Sequence, residues 1–169
     1  MKLLIAVFVL LISAVFSIAQ QKKDTFEFVE QKGSQTVKLV FKTKPFVRAN
    51  HKVEISGIRT KVDGRVGLGT DGNVPRTEIA SVRLFWNKVE IPVPKNLYAD
   101  CFEPNLEADY FRLKFGDDGE SLLVFMAGSD AAGGYQVFWV FRKDGKHSRF
   151  SEACSDCSYI DFMNGFFGS

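Results

Sequence analysis

The sequence predicts a mainly β protein, an antiparallel two-sheet β-sandwich or small barrel of about eight strands with a short C-terminal helix. Three observations lead to this fold class. Short segments alternate apolar with polar residues, turn-forming residues separate these segments at short intervals, and helical periodicity is almost absent before residue 154.

Five segments show the alternation that is typical of strands with one face in the core and one face in water. In the segment 109–115, for example, Phe111, Leu113 and Phe115 point to one side, and the residues between them are basic. The alternating segments are 25–30, 36–42, 52–59, 79–86 and 109–115.

Two further segments, 121–127 and 135–142, are apolar at both parities. Such runs are typical of central strands that are covered on both faces. Trp139 lies in the middle of the second run, so we expect its side chain to be buried. Asp-Gly pairs in 116–120 and 142–148 accept the positive φ of a hairpin turn, which predicts a meander of the last four strands.

Two segments interrupt the strand pattern. Residues 60–78 are rich in glycine and show no strand period, and a loop of this length is usually functional or mobile. Residues 91–106 contain several prolines and are predicted to form an ordered crossover with one helical turn at 95–101. Beyond Cys154, four apolar residues share one helical face, which is suited to lie over the doubly apolar strands; they are Tyr159, Phe162, Met163 and Phe166.

Residues 1–19 are predicted to be a secretory signal peptide, because one lysine precedes an unbroken apolar run that ends in small residues. Cleavage after Ala19 would leave residues 20–169 as a single domain, large enough to be stable without disulfides. We therefore expect a secreted or periplasmic protein with no stable membrane span after cleavage. The alternative is an uncleaved anchor, since Lys22 and Lys23 follow the apolar run.

The charge balance gives no general attraction to polyanions. The chain has 22 Lys and Arg residues against 20 Asp and Glu residues, and signal-peptide removal takes away Lys2 alone. Near-neutral charge supplies no broad field for nucleic acid or for an anionic membrane, so no nucleic-acid partner is expected. The basic residues in 38–48 alternate with apolar ones, which favours a solvated strand face over a polyanion patch.

The stretch MAGSDAAGGYQVFWVF, residues 126–141, places glycines between two apolar runs and raises the question of a phosphate-binding loop. Such loops lead into the N-terminus of a helix, whereas the residues after Gly134 have the composition of a strand. We therefore expect a hairpin loop. Its small residues, together with Ser129 and Asp130, leave the backbone open to close approach by a ligand or another chain.

Candidate catalytic and metal-binding groups are few. Ser129 lacks the G-x-S-x-G surroundings of a nucleophile elbow, and only His51 and His147 are available as a base. The aspartates lie in turn segments without the spacing of a calcium loop, so neither a metal nor a cofactor is predicted. A hydrolase that uses Ser129 remains an alternative, because such sites are assembled in space.

The three cysteines, Cys101, Cys154 and Cys157, allow one disulfide and leave one thiol. An oxidising compartment favours a disulfide over zinc binding, and Cys101–Cys154 is preferred because it closes a loop of about 50 residues. Cys157 is the second choice of partner, since it would lie inside the predicted helix. Cys154 and Cys157 also have the spacing of a thiol oxidoreductase, although no βαβ pattern accompanies them.

Because no convergent catalytic set is found, the leading hypothesis is a non-catalytic binding module for an unknown extracytoplasmic ligand or protein. The glycines in 60–78 and 128–134 predict that both loops lie at the same rim and form the ligand-accessible surface. The alternatives are an enzyme, through Ser129 or through Cys154 and Cys157, and a self-assembling envelope component. The predicted ligand contacts are Asp63, Arg65, Asp71, Arg76, Ser129 and Asp130.

Overall fold

The structure is a computed structural model that describes residues 24–129 and 133–153. In these residues the chain forms three antiparallel sheets, so the prediction of a mainly β, antiparallel fold is confirmed. The predicted signal peptide and the predicted C-terminal helix lie outside the described residues. The strands are β1 (Thr25–Lys32), β2 (Gln35–Pro45), β3 (Val53–Ser56), β4 (Arg59–Val62), β5 (Arg65–Val66), β6 (Thr77–Trp86), β7 (Val89–Ile91), β8 (Phe111–Phe115), β9 (Ser121–Gly128), β10 (Tyr135–Arg142) and β11 (His147–Ala153).

The first sheet has the strand order β1-β2-β6-β7. Alternation along its two central strands buries Val37, Leu39 and Phe41 of β2 and Leu84 and Trp86 of β6. The residues between them on β2 and β6 include the basic side chains that the sequence predicts for a solvated face.

The C-terminal sheet is the predicted meander, with the strand order β11-β10-β9-β8. Its central strands are β9 and β10, the two segments that are apolar at both parities. Gly119 and Gly145 complete the two Asp-Gly turns with φ values of 65° and 84°, a region that favours glycine.

One hydrophobic core contains side chains from both four-stranded sheets. Phe41 of β2 lies against Phe111 of β8 with the ring centroids 5.0 Å apart, and Trp86 meets Phe115 edge-on at 5.8 Å. Trp139 is 2% exposed, as predicted, and its indole N–H donates to the carbonyl oxygen of Leu97 at 2.9 Å.

The third sheet, β3-β4-β5, corrects two predictions. Gly57, at a φ of 58°, divides the strand predicted at 52–59 into β3 and β4. Residues 60–78 are not one long loop, because Asp63 and Gly64 turn β4 into β5 with φ values of 53° and 82°. These strands are too short for a periodic signal, although Asp-Gly is the turn sequence that such a hairpin prefers.

The proline-rich crossover between β7 and β8 is ordered, as predicted. It contains the short 3-10 helices Lys95–Leu97 and Ala108–Tyr110, the first of which lies within the predicted helical turn. Cys101 and Phe102 of the crossover are buried. In the described part of the chain, no helix has the length and the apolar character needed to cross a membrane.

Candidate functional site

Three of the six predicted ligand contacts lie in one cleft of about 500 Å³, which we call the polar cleft. Asp71 and Arg76 come from the segment between β5 and β6, and Ser129 comes from the β9–β10 loop. The structure therefore brings the two predicted loops together, while Asp130 lies outside the described residues. The other lining residues are Gly69, Thr70, Asn73, Val74, Pro75, Glu103 and Gly133.

Backbone hydrogen bonds from the crossover join the two loops of the polar cleft. The N–H of Phe102 donates to the carbonyl oxygen of Leu68 at 3.0 Å. The N–H of Glu103 donates to Thr77 at 3.1 Å, and the carbonyl oxygen of Glu103 accepts the N–H of Ser129 at 2.8 Å. Three segments that are distant in the sequence are thus fixed around one cleft by the main chain.

Three non-glycine residues of the polar cleft have left-handed backbone conformations. The φ angle is 42° at Asp71, 47° at Glu103 and 56° at Ser129. The angle at Asp71, with Gly72 at 70°, belongs to a tight turn that the N–H of Asn73 closes on the carbonyl oxygen of Thr70, and Ser129 lies in the β9–β10 hairpin loop. The other described non-glycine residues with positive φ lie in the β4–β5 and β6–β7 hairpin turns, so Glu103 is the one that lies outside a hydrogen-bonded turn or hairpin loop. Residues held in such conformations cost about 1–3 kcal/mol each and cluster at functional sites.

Two glycines let the backbone of the cleft region pack closely. A Cβ atom on Gly69 would lie 2.4 Å from the carbonyl oxygen of Phe102, and one on Gly128 would lie 2.2 Å from the hydroxyl of Tyr135. Gly128 also pairs with Tyr135 at the end of the β9–β10 hairpin. Packing against a tyrosine therefore explains Gly128 without a phosphate, in agreement with the hairpin-loop interpretation.

The polar cleft is lined by hydrogen-bond donors and acceptors, and its charged side chains include both signs. The Arg76 side chain is 89% exposed, and its guanidinium lies 3.9 Å from the Glu103 carboxylate. That carboxylate accepts the backbone N–H groups of Arg76 and Thr77, so the loop holds it in place. Asp71 is exposed and Ser129 is half-buried. The arrangement can bind a polar group by several hydrogen bonds at once.

A second cleft of about 550 Å³ adjoins the first, and we call it the apolar cleft. Its wall includes Ile58 and Val66, both exposed, and Leu68. The two clefts form a surface that is polar at one end and apolar at the other, because they share Gly69, Thr70, Asp71 and Gly133.

Asp63 and Arg65, two more predicted ligand contacts, do not line the polar cleft. Oδ2 of Asp63 lies 2.8 Å from Nδ1 of His51, and Oδ1 accepts the backbone N–H of Lys52 at 2.9 Å. These hydrogen bonds, the one with His51 first, lower the pKa of Asp63. The Arg65 guanidinium donates to the carbonyl oxygen of Asn96 at 3.1 Å. Both side chains tie the β4–β5 hairpin to neighbouring segments.

A largely buried polar cluster that the sequence does not predict lies behind Leu68 of the apolar cleft, whose backbone N–H donates to the carbonyl oxygen of Asp100 at 2.8 Å. Arg149 of β11 donates to both carboxylate oxygens of Asp100, at 2.7 and 2.9 Å, and its Nη2 lies 3.8 Å from Sγ of Cys101. Burial raises the pKa of the Cys101 thiol and of the Tyr135 hydroxyl. No local sequence pattern indicates the cluster, because nearly 50 residues separate Arg149 from Asp100 and Cys101.

Cys101 carries a free thiol, and the described residues contain no disulfide. The predicted Cys101–Cys154 disulfide is therefore not present in the structure, and because Cys154 and Cys157 lie outside the described residues it stays a prediction for the oxidised protein. A buried thiol with a raised pKa is a poor nucleophile, because the thiolate is the reactive form.

Neither histidine contacts Ser129. The His51 ring lies 2.8 Å from Asp63 and 3.5 Å from Glu78, and Nδ1 of His147 lies 3.3 Å from the carbonyl oxygen of Gly145. In residues 24–129 and 133–153, no three His, Cys, Asp or Glu side chains are grouped so that they could hold a metal ion.

A larger depression, of about 660 Å³, lies on the first sheet near the β1–β2 and β6–β7 turns. Its lining includes Val29, Lys38, Phe85 and Lys88. Strand faces and hairpin turns form this depression, and one of its charged groups, Lys38, is already paired with Glu27 at 2.7 Å. We therefore place the candidate site at the polar cleft, where three separate segments converge.

Comparisons of the chain with protein-family models, with curated proteins and with solved structures found no match.

Proposed function

We propose that the protein is a secreted or periplasmic binding module without catalytic activity, and that the polar and apolar clefts together bind its ligand. The observation that carries this proposal is the convergence of three chain segments on the polar cleft, where hydrogen bonds to both loops hold Glu103 of the crossover in a left-handed conformation. Such strain persists only where the surrounding structure enforces it, and binding sites are where it is usually found.

We infer that the two four-stranded sheets form the predicted two-sheet sandwich, because one core contains buried side chains from both. The clefts then lie on loops that a rigid scaffold supports, which is the usual arrangement of binding loops on a β-sandwich. The β3-β4-β5 sheet supplies the wall of the apolar cleft that includes Ile58 and Val66.

An extended peptide is the ligand class that fits both clefts. Its backbone offers alternating donors and acceptors to Asp71, Arg76 and Ser129, while an apolar side chain enters the space beside Val66 and Leu68. The net charge of the protein is close to zero, so recognition depends on these local groups and not on a long-range field.

The proposal is tested by adding a tripeptide library, in pools that differ in one apolar side chain, to the isotope-labelled chain and recording amide chemical shifts. We expect concentration-dependent shifts at Gly69, Asp71, Ser129 and Gly133. Replacement of Arg76 by alanine is expected to weaken binding at least several-fold, since a hydrogen bond to a charged group contributes about 1.5–3 kcal/mol.

The matched control is Arg65→Ala, which removes an arginine from the same stretch of chain but not from the polar cleft. It should leave the peptide affinity unchanged. Shifts confined to the depression around Phe85 and Lys88 would move the site to the first sheet and contradict the proposal. Binding of oligosaccharides in place of peptides would retain the site and refute the ligand class.

A thiol oxidoreductase would differ from a binding module in a redox titration of the intact chain. A potential near about −270 to −120 mV, the range of known oxidoreductases, for a Cys154–Cys157 pair would favour the enzyme.

A further inference from the structure

The centre of the outer face of the C-terminal sheet is buried, although it points away from the shared core. Val124 of β9 and Val137 and Trp139 of β10 belong to the core. Successive strand side chains alternate in direction, so Phe125 and Phe138 point to the opposite face. They are nevertheless only 1% and 5% exposed.

These two rings belong to a row that crosses the whole sheet. Arg112, Phe125, Phe138 and Phe150 are successive register partners on β8, β9, β10 and β11. The Phe125 and Phe138 ring centroids are 5.0 Å apart, and those of Phe138 and Phe150 are 6.3 Å apart. We call this the outer aromatic row. At the edge of the sheet Phe150 is 55% exposed, so the centre of the row is covered more than its end.

Neighbouring strands cannot bury a ring that stands out of the sheet plane, because a covering layer has to lie about 10 Å above it. Phe125 and Phe138 are buried within one copy of the chain, so a second copy is not needed to explain their burial. The cover therefore has to come from the same polypeptide.

We propose that the C-terminal segment, residues 154–169, docks on the outer aromatic row and forms a third layer over the C-terminal sheet. This segment begins directly after Ala153, the last residue of β11, and β11 is the edge strand of this same sheet. Phe125 lies two strands further in, at about 10 Å for a strand spacing of about 4.8 Å. Sixteen residues span about 24 Å even as a helix, so the segment reaches the row with length to spare.

The composition of the segment fits the surface. Four apolar side chains, Tyr159, Phe162, Met163 and Phe166, share one face of a helix at these spacings. The charged side chains of the segment are Asp156 and Asp161, with no lysine or arginine.

The sheet carries the opposite charge on the same face as the outer aromatic row. Arg112 begins the row, and Lys114 follows it on the same side of β8, opposite Leu123. An acidic, aromatic segment is thus attached to the edge of a sheet whose outer face is basic at one side and aromatic at its centre. The N-terminal segment, by contrast, enters β1 in the other sheet.

A double-mutant cycle in the full chain tests the docking. Phe138→Ala is combined with deletion of residues 154–169, and unfolding midpoints in urea are compared. If the segment covers Phe138, the midpoint shift of the combined variant is well below the sum of the two single shifts, because both changes remove the same contact. Deletion combined with Phe85→Ala, on the outer face of the first sheet, serves as the control and should be additive. Additive shifts for Phe138 as well would overturn the proposal.

The intact chain gives a second measurement that does not depend on how the variants fold. Hydroxyl-radical labelling should modify Phe162 and Phe166 several-fold more slowly in the native protein than in urea, and Phe162→Asp should raise the labelling of Phe138 several-fold. Equal rates for Phe162 in the native and unfolded chain would refute docking. An increase at Phe138 that follows deletion of residues 2–23, or simple dilution, would assign the cover to the N-terminal segment or to a second copy.

Discussion

The two four-stranded sheets share one core but differ in their outer faces. On the first sheet the outer face is mostly open, apart from Val40, which is 8% exposed. Val29 is 57% exposed, and Arg83 pairs with Glu90 at 2.8 Å while its guanidinium lies 4.7 Å above the Phe85 ring. On the C-terminal sheet Phe138 is buried in the corresponding outer position. Similar strand geometry therefore supports a wet surface in one sheet and a covered surface in the other.

The sequence encodes this difference in the spacing of its apolar residues, which occupy alternate positions in one strand and nearly all positions in the other. Residues 36–42 alternate apolar with polar residues and become β2, one face of which is in the core. Residues 135–142 are apolar at both parities and become β10, in which both faces are buried near the centre. The spacing of the apolar residues thus indicates whether one or both faces of a strand are covered, in addition to which face points inward.

The largest expected effect concerns the hydrophobic core, to which the inner faces of both four-stranded sheets contribute. Trp139→Ala should cost about 3–5 kcal/mol of unfolding free energy, because it leaves a cavity at the centre of the core and removes the hydrogen bond to Leu97. Trp86→Ala, at the end of β6, should cost less, since a site near the sheet end collapses more easily. Reversible urea unfolding measures both. A loss under about 1 kcal/mol for Trp139, the scale of a surface change, would contradict its core position.

The next effect is the predicted Cys101–Cys154 disulfide, which would attach the end of the C-terminal sheet to the crossover. Closing a loop of about 50 residues contributes roughly 3–4 kcal/mol in the chain-entropy model.

Non-reducing peptide mapping of the oxidised protein checks the pairing directly. We expect a Cys101–Cys154 peptide, and a matching fall in the unfolding midpoint on reduction. Recovery of a Cys154–Cys157 peptide, with Cys101 unmodified under native conditions, would exclude the structural disulfide. The same result would favour the oxidoreductase alternative.

The outer faces are compared most directly by one substitution in each. Phe138→Ala on the C-terminal sheet should cost about 3 kcal/mol, because a buried ring is truncated. Phe85→Ala on the first sheet should cost about 1 kcal/mol or less, since that ring is partly in contact with water already. Urea unfolding of the two variants separates the cases. Equal costs would mean that the outer faces are covered to the same extent.

Much of this fold could be predicted from periodicity, but the third sheet could not. The strands β3, β4 and β5 have four residues or fewer and are too short to show a period. The Asp63-Gly64 pair is the remaining sequence signal, and it lies within the segment that the sequence predicts to be a loop. The crossover between the sheets was predicted as ordered because its prolines restrict the chain.

For the candidate site, the glycine-rich segments placed Asp71, Arg76 and Ser129 together, since glycine allows close approach of two loops. Glu103 was missed. Its role depends on accepting the N–H groups of Arg76 and Thr77 across more than 25 residues, and no local pattern reports such a contact.

The smallest expected effect concerns the pH dependence of stability, to which the aspartates in the two hairpin turns of the C-terminal sheet contribute to different extents. Asp118 accepts hydrogen bonds from the Ser121 hydroxyl at 2.8 Å and from the backbone N–H of Glu120 at 2.9 Å, and these bonds lower its pKa to about 2. The ordinary pKa of an unfolded aspartate is about 3.9. Because the folded value is the lower one, this group stabilises the fold above about pH 4, and the contribution is lost as the pH falls through about 2.

Asp118→Asn should therefore flatten the pH dependence of the urea midpoint between about pH 5 and pH 2, and a carboxyl NMR titration of the intact protein should report the lowered pKa. The matched variant is Asp144→Asn in the β10–β11 turn, where the backbone N–H of Lys146 lowers the carboxyl pKa. This substitution should flatten the profile less than Asp118→Asn. The lowered pKa of Asp144 is caused mainly by a single backbone hydrogen bond, whereas Asp118 accepts several hydrogen bonds. A larger effect of Asp144→Asn would contradict this order of the two turns, and an unchanged Asp118 titration in Ser121→Ala would contradict the Ser121 hydroxyl as the main cause of the lowered pKa.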